Sequence, residues 1–305
     1  MDGTIGDSPA NPGSNPSGDS AGMDPGPAAI EASLCVLASG STGNCSVLRV
    51  RSGGVARSLL IDAGLSPRRT RSLLDEVGVA PDEIRGLLLT HLDRDHWHTG
   101  WERPAAGDFP VFLHERHARI ARRTLGSRAT AFAGAFEPIG GVRIEPHLVA
   151  HDELGTAAFR VEAPGGTMGF ATDLGRATDE LVEHLSGVDV LALESNYCPR
   201  MQRASGRPEF LQRRIMGGSG HLSNHEAAAV IERALPREHV VFLHLSRECN
   251  DPAIVASLHA GADYAFTIAA PDRPTRWVPI VSTRPAPVRV PETLFESLLA
   301  GDRPA

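Results

Sequence analysis

The sequence contains no lysine, because all 30 of its basic residues are arginine. This absence excludes enzymes that use a lysine amine as nucleophile or Schiff base. There are only four cysteines, far apart and without a C-x-x-C pair, so neither a secreted disulfide framework nor a zinc knuckle is indicated. We expect Cys35, Cys45, Cys198 and Cys249 to be buried free thiols.

Long apolar runs are also missing. No window approaches the roughly 18 uninterrupted apolar residues of a membrane span, and the N-terminus shows neither the basic nor the apolar region of a signal peptide. We therefore expect a cytoplasmic protein without a membrane partner. The formal charge is −7, of which residues 1–30 contribute four aspartates and no basic residue. This balance neither demands nor excludes nucleic acid, because local patches decide phosphate binding.

Composition divides the chain into three segments. Residues 1–30 are dominated by Gly, Pro, Ser, Asp, Asn and Ala, which predicts a disordered tail. Residues 31–282 carry short apolar runs separated by turn signals and are predicted to form one folded domain. Residues 283–305 are Pro-rich and are predicted to be an extension with a short helix around Leu294–Leu299.

Within the domain, strands come first and are then mixed with helices. Strands are predicted at apolar runs between Gly and Pro breaks, among them Leu34–Leu37, Leu59–Asp62, Gly86–Thr90, Val142–Glu145, Ala157–Glu162, Met168–Ala171, Val188–Leu193 and Val240–Leu243. Helices are predicted from Ser66-Pro67 onward and over Glu115–Leu125, Ala177–Leu185 and Ser223–Leu235. This order indicates sheets covered by helices, an α+β or α/β sandwich.

The segment His91-Leu-Asp-Arg-Asp-His96 is the most informative one. It places four potential metal ligands within six residues, directly after a strand that ends in three leucines. At the end of a strand, residues two apart project to the same side, so His91 and Asp93 can converge on one ion. Asp95 and His96 can aim at a neighbouring position. Such a cluster is costly beside a core unless a cation pairs with it.

Other potential ligands recur in the same context. His151, Asp173 and His244 each follow a predicted strand. A single histidine at such a position is more often a satisfied core residue than a ligand. Together with the first motif, however, the three indicate a metal centre built from several strand ends.

Asp62, His91-x-Asp93-x-Asp95-His96, His151, Asp173 and His244 resemble the ligand series of the metallo-β-lactamase superfamily. The flanking sequences look like its YycJ/WalJ branch, and they are Leu37–Cys45, His151-Asp152, Ala171–Gly175, Glu194–Asn196, Gly220–Asn224 and His244–Asn250. The resemblance covers about residues 33–260. It implies a four-layer αβ/βα sandwich with two mixed sheets, and a metal-dependent hydrolase domain over 31–282.

The resemblance also assigns roles to residues of this chain. His91, Asp93 and His151 would hold the first of one or two divalent ions, Asp95, His96 and His244 would hold the second, and Asp173 would bridge them. Asp95 is also assigned to catalysis, and Asp62 would orient a ligand or the motif loop, as carboxylates near metals commonly do. Hydrolysis by a metal-activated water is implied, and Cys45 and Cys198 lack the paired base of a catalytic thiol.

One residue departs from the pattern. The superfamily motif usually has histidine where this chain has Asp93. A carboxylate is harder than an imidazole and favours Mn²⁺ or Mg²⁺ relative to Zn²⁺, although it also binds zinc. We therefore expect one or two ions of zinc or manganese, and whether the first site is filled depends on Asp93.

Three features point to the substrate. His221 stands in a Gly-rich turn before a helix and is predicted to bind phosphate or to protonate a leaving group. Five arginines, Arg203 among them, fall between positions 200 and 214 against one acid and form a candidate phosphodiester track. Further predicted substrate contacts are Ser39, Ser41, Asn44, Asn196 and Ser223.

The leading hypothesis is a phosphodiesterase or nuclease acting on a phosphodiester such as DNA, since members of the YycJ/WalJ branch are associated with DNA exonuclease activity. The alternative is a hydrolase of a small lactone, thioester or cyclic phosphodiester, because this fold hosts many chemistries. A non-catalytic metal-binding protein is a third reading, and retention of Asp95, His96, Asp173 and His244 speaks against it.

Overall fold

The computed structural model describes residues 31–151 and 153–283. The predicted tail over 1–30 and the predicted extension, apart from Thr283, lie outside the described residues. The limits of these segments stay predictions.

Two seven-stranded sheets form the centre of the fold. The first has the order β14-β1-β2-β3-β4-β5-β6 and the second β13-β12-β11-β10-β9-β8-β7. The strands are β1 Glu31–Ala38, β2 Cys45–Ser52, β3 Val55–Ile61, β4 Ile84–Leu88, β5 Val111–His114, β6 Ala129–Phe132, β7 Phe136–Ile139, β8 Val142–Val149, β9 Thr156–Ala163, β10 Gly166–Ala171, β11 Val190–Glu194, β12 His239–Leu243, β13 Ala265–Ile268 and β14 Val278–Pro279. Each sheet begins antiparallel and continues parallel, over β3–β6 in the first and β10–β13 in the second.

The described residues form seven helices. They are α1 Pro67–Glu76, α2 Glu115–Leu125, α3 Asp179–His184, α4 Pro199–Ala204, α5 Glu209–Arg214, α6 Asn224–Ala234 and α7 Pro252–Leu258. Of these, α1, α2, α3, α6 and α7 pack on the outer faces of the sheets. Short 3₁₀ turns occupy Pro81–Glu83, Thr99–Glu102, Pro104–Ala106 and Gly126–Arg128, and a π turn occupies Ile215–Ser219. In the described part of the chain, no helix combines the length and the apolarity needed to cross a membrane.

Alternation along the strands builds the layers. Leu59 and Ile61 of β3 face the other sheet, whereas Leu60 between them faces the helices, because successive strand residues point to opposite sides. One apolar cluster lies between the sheets, and one lies between each sheet and its helices. The predicted four-layer sandwich with two mixed sheets is confirmed, and all four cysteines are buried and free.

The helix boundaries follow their capping residues. Ser66 accepts a hydrogen bond from the Arg69 amide at the start of α1, and α2 spans the predicted residues. The predicted start at Ala177 is wrong, since the Thr178 side chain caps the helix and α3 begins at Asp179. Helices α4 and α5 were not predicted.

The turn after β3 is pressed against the loop of the His91–His96 motif. The Asn44 amide donates to the Asp95 carbonyl at 2.7 Å, and the Ala63 amide donates to the His96 carbonyl at 2.8 Å. Between them, a Cβ placed on Gly64 would lie 1.7 Å from the Asp95 carbonyl oxygen and 2.8 Å from the Asn44 nitrogen. Only glycine permits this approach of two backbones.

Gly64→Ala is therefore expected to destabilise the fold. The methyl group meets backbone rather than a flexible side chain, so a loss of about 3 kcal/mol is expected, equal to a fall of about 10 °C in Tm for a domain of this size. Thermal unfolding by circular dichroism measures it. Gly134→Ala is the control, because a Cβ there meets nothing within 4 Å. Equal Tm values for the two variants would contradict the close approach.

Candidate metal centre

The predicted ligands come together at one edge of the sandwich. β3 and β4 of the first sheet lead to Asp62 and to His91, and β10 and β12 of the second lead to Asp173 and to His244. Their ligand atoms form two groups, each with all atoms within 4.8 Å of one another. These groups are His91, Asp93 and His151, and Asp95, His96, Asp173 and His244. Distant parts of the chain thus supply one centre, because parallel strands of a sheet end at the same edge.

Buried hydrogen bonds orient the histidines of the first sheet. Asp62 accepts from the Thr90 amide at 2.9 Å, and its Oδ2 accepts from His96 Nδ1 at 2.8 Å. The Thr90 hydroxyl donates to Asp62 and lies 2.9 Å from His91 Nδ1, from which it accepts. With Nδ1 of both rings engaged in this way, Nε2 of each ring is the nitrogen left to face a ligand group. Asp62 therefore has the position predicted for an orienting carboxylate.

The second sheet contributes the remaining histidines, His151 and His244. His151 Nδ1 donates to the Gly220 carbonyl at 3.0 Å, so its Nε2 is left for Asp93 at 3.8 Å and Asp173 at 4.0 Å. His244 Nε2 lies 3.2 Å from Asp95 Oδ2. Ring centroids of neighbouring histidines are separated by 4.2 Å between His91 and His96 and by 5.3 Å between His91 and His151.

Asp173 lies within 4.0 Å of three of the predicted histidine ligands. Its Oδ2 lies 2.8 Å from His96 Nε2, and its Oδ1 lies 3.1 Å from His244 Nδ1 and 4.0 Å from His151 Nε2. It therefore reaches ligand atoms of both groups, as a bridging carboxylate must. Burial would raise the pKa of Asp173, but the nearby His244 and His96 hold it well below its usual range, so the carboxylate stays ionised.

Three residues of the centre have left-handed backbone conformations. Asp62, Asp173 and His244 have φ values of 60°, 55° and 54°, where side chains other than glycine are uncommon. Buried polar groups hold two of them: the Ser39 hydroxyl accepts from the His244 amide at 2.8 Å, and Asn196 Nδ2 donates to its carbonyl at 2.7 Å. For Asp173 the holding group is the Glu194 carboxylate, which accepts from the backbone amides of Asp173 and Leu174.

The pKa values of the buried histidines are shifted in opposite directions. Burial and the charge of His96 lower the pKa of His91 to about 3. Burial also acts to lower the pKa of His244, but Asp173 and Asp95 raise it to about 10. Without an added cation, acid–base pairs of this kind must share protons, since unpaired buried charges are costly.

The donor set fits divalent cations. His91 Nε2 and both ring nitrogens of His244 are buried and have no hydrogen-bond partner among the described residues. Carboxylate oxygens nevertheless lie 3.9 Å from His91 Nε2 and 3.2 Å from His244 Nε2, so nitrogen and oxygen donors face one another across short gaps. Imidazole with carboxylate suits zinc and manganese alike. The assignment of individual ligands stays a prediction.

Sequence reasoning missed Glu194 as a residue of the centre. It is fully buried at the end of β11, and its carboxylate accepts from the Leu222 amide at 3.0 Å and lies 3.1 Å from His221 Nδ1. It thus ties the Asp173 turn to the His221 turn. The signal was present, because Glu194 ends a buried strand as the predicted ligands do.

The predicted substrate residues have different surroundings. Ser41 and Arg203 are exposed, and their role stays a prediction. Ser39, Asn44, Asn196 and Ser223 are buried, and their polar atoms are engaged within the protein. Asn44, for example, donates to the Asp95 carbonyl at 3.2 Å. This geometry favours a positioning role for these four over the predicted contact with substrate.

Comparison with known proteins agrees with this architecture. The sequence profile of the Beta-lactamase superfamily domain matches residues 57–245, which is more than half of the chain. The chain belongs to the metallo-β-lactamase superfamily. This confirms the predicted family and identifies the chain as a hydrolase of that superfamily, whose fold implies divalent metal ions.

Curated relatives place it in the YycJ/WalJ-like branch. Exodeoxyribonuclease YycJ of Bacillus anthracis is 28% identical over 222 residues, which cover 70% of this chain and 83% of the relative. Exodeoxyribonuclease WalJ of Streptococcus pneumoniae is 28% identical over 259 residues, which cover 79% and 95%.

Solved structures share the fold. The metallo-β-lactamase fold protein YhfI from Bacillus subtilis has a TM-score of 0.60 at 17% identity, covering 80% of this chain and 99% of that one. A diphosphatase from the PhnP family has a TM-score of 0.57 at 17% identity, covering 83% and 99%. At such identities, these similarities show the metallo-β-lactamase fold alone.

Proposed function

We propose that the chain is a divalent-metal-dependent phosphodiesterase that degrades DNA as an exonuclease. The observation that carries the proposal is the placement of His221 against both Glu194 and Asp173, beside the two ligand groups. The names of the YycJ and WalJ relatives support the choice of DNA as substrate. We also keep the prediction of a cytoplasmic protein.

His91, Asp93 and His151 would hold one ion, Asp95, His96 and His244 a second, and Asp173 both. Ions held there supply Lewis acidity, which lowers the pKa of water and offsets the negative charge that grows on phosphoryl oxygens. Asp62 and Thr90 fix the His96 and His91 rings by the hydrogen bonds described above. The protein thus prepares the geometry of the centre before substrate arrives.

His221 is placed to protonate the leaving oxygen. Its Nδ1 lies 3.1 Å from Glu194 Oε2 and 3.4 Å from Asp173 Oδ1, which fixes the ring by the nitrogen that faces the carboxylates. The other nitrogen, Nε2, is then available to give a proton to the alkoxide that departs. Glu194 acts through His221 as a positioning residue, since it holds the ring by Nδ1.

Arginines beside His221 suit an anionic polymer. Arg207 pairs with Glu248, and Arg213 pairs with Glu209. The other three arginines of the α4–α5 segment are Arg200, Arg203 and Arg214. They are exposed and have no acidic partner among the described residues. α5 continues through the π turn to His221, and Tyr197, just before α4, is bridged to Ser223. Both helices therefore adjoin the His221 turn, where their guanidinium groups can meet a bound strand.

A panel of substrates tests the proposal. Protein loaded with Mn²⁺ or Zn²⁺ is expected to hydrolyse bis-p-nitrophenyl phosphate and to release mononucleotides from an end-labelled DNA duplex, with little activity on a lactone panel. Chromatography of the products distinguishes mononucleotides from internal fragments, and a His221→Ala preparation controls for contaminating nucleases. Turnover of a lactone alone would overturn the proposal in favour of a small-molecule hydrolase. Internal fragments would overturn the exonuclease assignment only.

A further inference from the structure

Helix α2 carries a face of arginines that the function proposed above leaves unused. Arg116, Arg119, Arg122 and Arg123 recur at helical spacing and are all exposed, whereas the opposite side of the helix is buried. The helix contains a single acid, Glu115, at its first position. In a chain where 37 acids outnumber 30 arginines, this is a local concentration of positive charge. We call these four residues the α2 arginine face.

These guanidinium groups are not used to hold the fold together. Within residues 31–151 and 153–283, none of the four has an acidic side chain at salt-bridge distance, whereas Arg49, Arg207 and Arg237 each do. Guanidinium groups without a protein partner keep their donors for a ligand, and their planar forks match phosphate.

A groove runs along the α2 arginine face. It has a volume of about 700 Å³, and its lining has three arginines against one acid: Arg116, Arg119, Arg122 and Glu115, together with Ala118, Ile120, Ala131 and Leu154. Ile120 is 48% exposed and gives the groove an apolar strip. Positive charge beside an apolar strip suits a chain that alternates phosphates with sugars and bases.

The groove lies beside the metal centre. Leu154 follows His151 by three residues in the same loop. Helix α2 begins directly after β5, and β5 runs parallel to β4, with Phe112 paired to Leu88, so the start of α2 is at the sheet edge that carries His91. From Arg116 to Arg123 the helix rises about 10 Å, which extends the positive face away from that edge.

We propose that the α2 arginine face binds the sugar-phosphate backbone of the DNA whose end enters the metal centre. This inference rests on the function proposed above and adds to it the path of the substrate. Contacts to phosphate position a polynucleotide without reading its sequence. The chain should accordingly discriminate a polynucleotide from a small phosphodiester by KM, and independently of base sequence.

A matched pair of double variants tests this inference. Arg119→Gln with Arg122→Gln removes two charges from the α2 arginine face. Arg57→Gln with Arg85→Gln removes two exposed charges from the opposite, N-terminal ends of β3 and β4. The measurements are KM and kcat on an end-labelled DNA oligonucleotide, kcat/KM on bis-p-nitrophenyl phosphate, and the salt dependence of oligonucleotide binding, followed by fluorescence anisotropy in EDTA.

For the α2 variant, KM for DNA is expected to rise about tenfold with kcat little changed, and log Kd should depend on log salt with a slope lower by about one to two. Activity on the small diester should stay at the wild-type level, and the control variant should match wild type throughout. Wild-type binding and an unchanged KM for DNA in the α2 variant would overturn the inference, as would an equal loss on both substrates.

The readouts separate this inference from the proposed function. If the wild-type protein hydrolyses neither diester, the proposed function fails, and anisotropy still tests the α2 arginine face. If the wild-type protein hydrolyses DNA and the α2 variant does so with the same KM and salt slope, only this inference fails.

Discussion

Asp173→Asn is expected to lower the rate of phosphodiester hydrolysis by about a hundred- to a thousandfold, the range seen when a group that stabilises charge in the transition state is lost. The substitution keeps the size of the side chain and a residue that tolerates the left-handed backbone. It removes the negative charge that lies 2.8 Å from His96 Nε2 and 3.1 Å from His244 Nδ1. Under the predicted assignment, in which Asp173 binds both ions, both ion positions lose a ligand at once. Initial rates on bis-p-nitrophenyl phosphate measure the effect.

The matched control is Asp75→Asn, which alters an exposed aspartate on α1. It should leave the rate at the wild-type value. Elemental analysis of the Asp173→Asn protein should show fewer bound ions per chain. If that protein retained more than about a tenth of wild-type activity, Asp173 could not be a ligand shared by both groups.

Removal of metal by EDTA is expected to lower the Tm by about 10 °C, and added Zn²⁺ or Mn²⁺ should restore it. A ligand at a thousand times its Kd stabilises the folded state by about 4 kcal/mol, and each kcal/mol is worth about 2–4 °C at this chain length. The ions would join loops of both sheets, since His91 follows β4 and His244 follows β12. Differential scanning fluorimetry at fixed protein concentration measures the shift.

The restoration of Tm by added metal should depend on pH. The pKa of His244 is raised to about 10 without metal, so at neutral pH this ring is protonated and must lose its proton to become a ligand. Because binding releases protons, the metal concentration at half-saturation should fall as pH rises from 6 to 8. Elemental analysis confirms that EDTA has removed the metal. If the Tm of that metal-free protein were unchanged at every pH, the result would contradict a centre that links the two sheets.

The positions of the predicted ligands could be read from the sequence because each follows a short apolar strand. β4 leads to His91 and β12 to His244, and strand direction alone decides that such ends meet at one edge. The layers were also predictable, since Leu59, Leu60 and Ile61 form the uninterrupted apolar run that a strand between two apolar environments requires.

Other parts depend on contacts between distant residues. From the sequence, Glu194 is recognisable only as part of a flanking segment, because nothing local shows that a glutamate at a strand end will accept hydrogen bonds from residues 173, 174 and 222. Helices α4 and α5 have only six residues each, too few for a periodic pattern to be recognised. Local signals existed all the same, in Pro199 at the first turn of α4 and Pro208 at the N-cap of α5.

Asp93 shows how a departure from a family pattern can be interpreted once the structure is known. The carboxylate is half-exposed and lies 3.9 Å from His91 Nε2 and 3.8 Å from His151 Nε2. The shorter side chain thus still reaches the neighbourhood of both imidazoles. Asp93 is therefore close enough to serve the first ion position together with the two imidazoles. Which of manganese and zinc is preferred there depends on the hardness of its oxygen donor.

Fold stability and catalytic activity place opposite demands on the three left-handed residues Asp62, Asp173 and His244. Each costs of order 1 kcal/mol or more relative to a relaxed backbone, and glycine would relieve that cost while deleting the functional group. Selection for heat resistance alone would therefore erode these three positions, whereas selection for catalysis preserves them. The backbone strain at these three residues is therefore borne by the part of the fold that carries the chemistry.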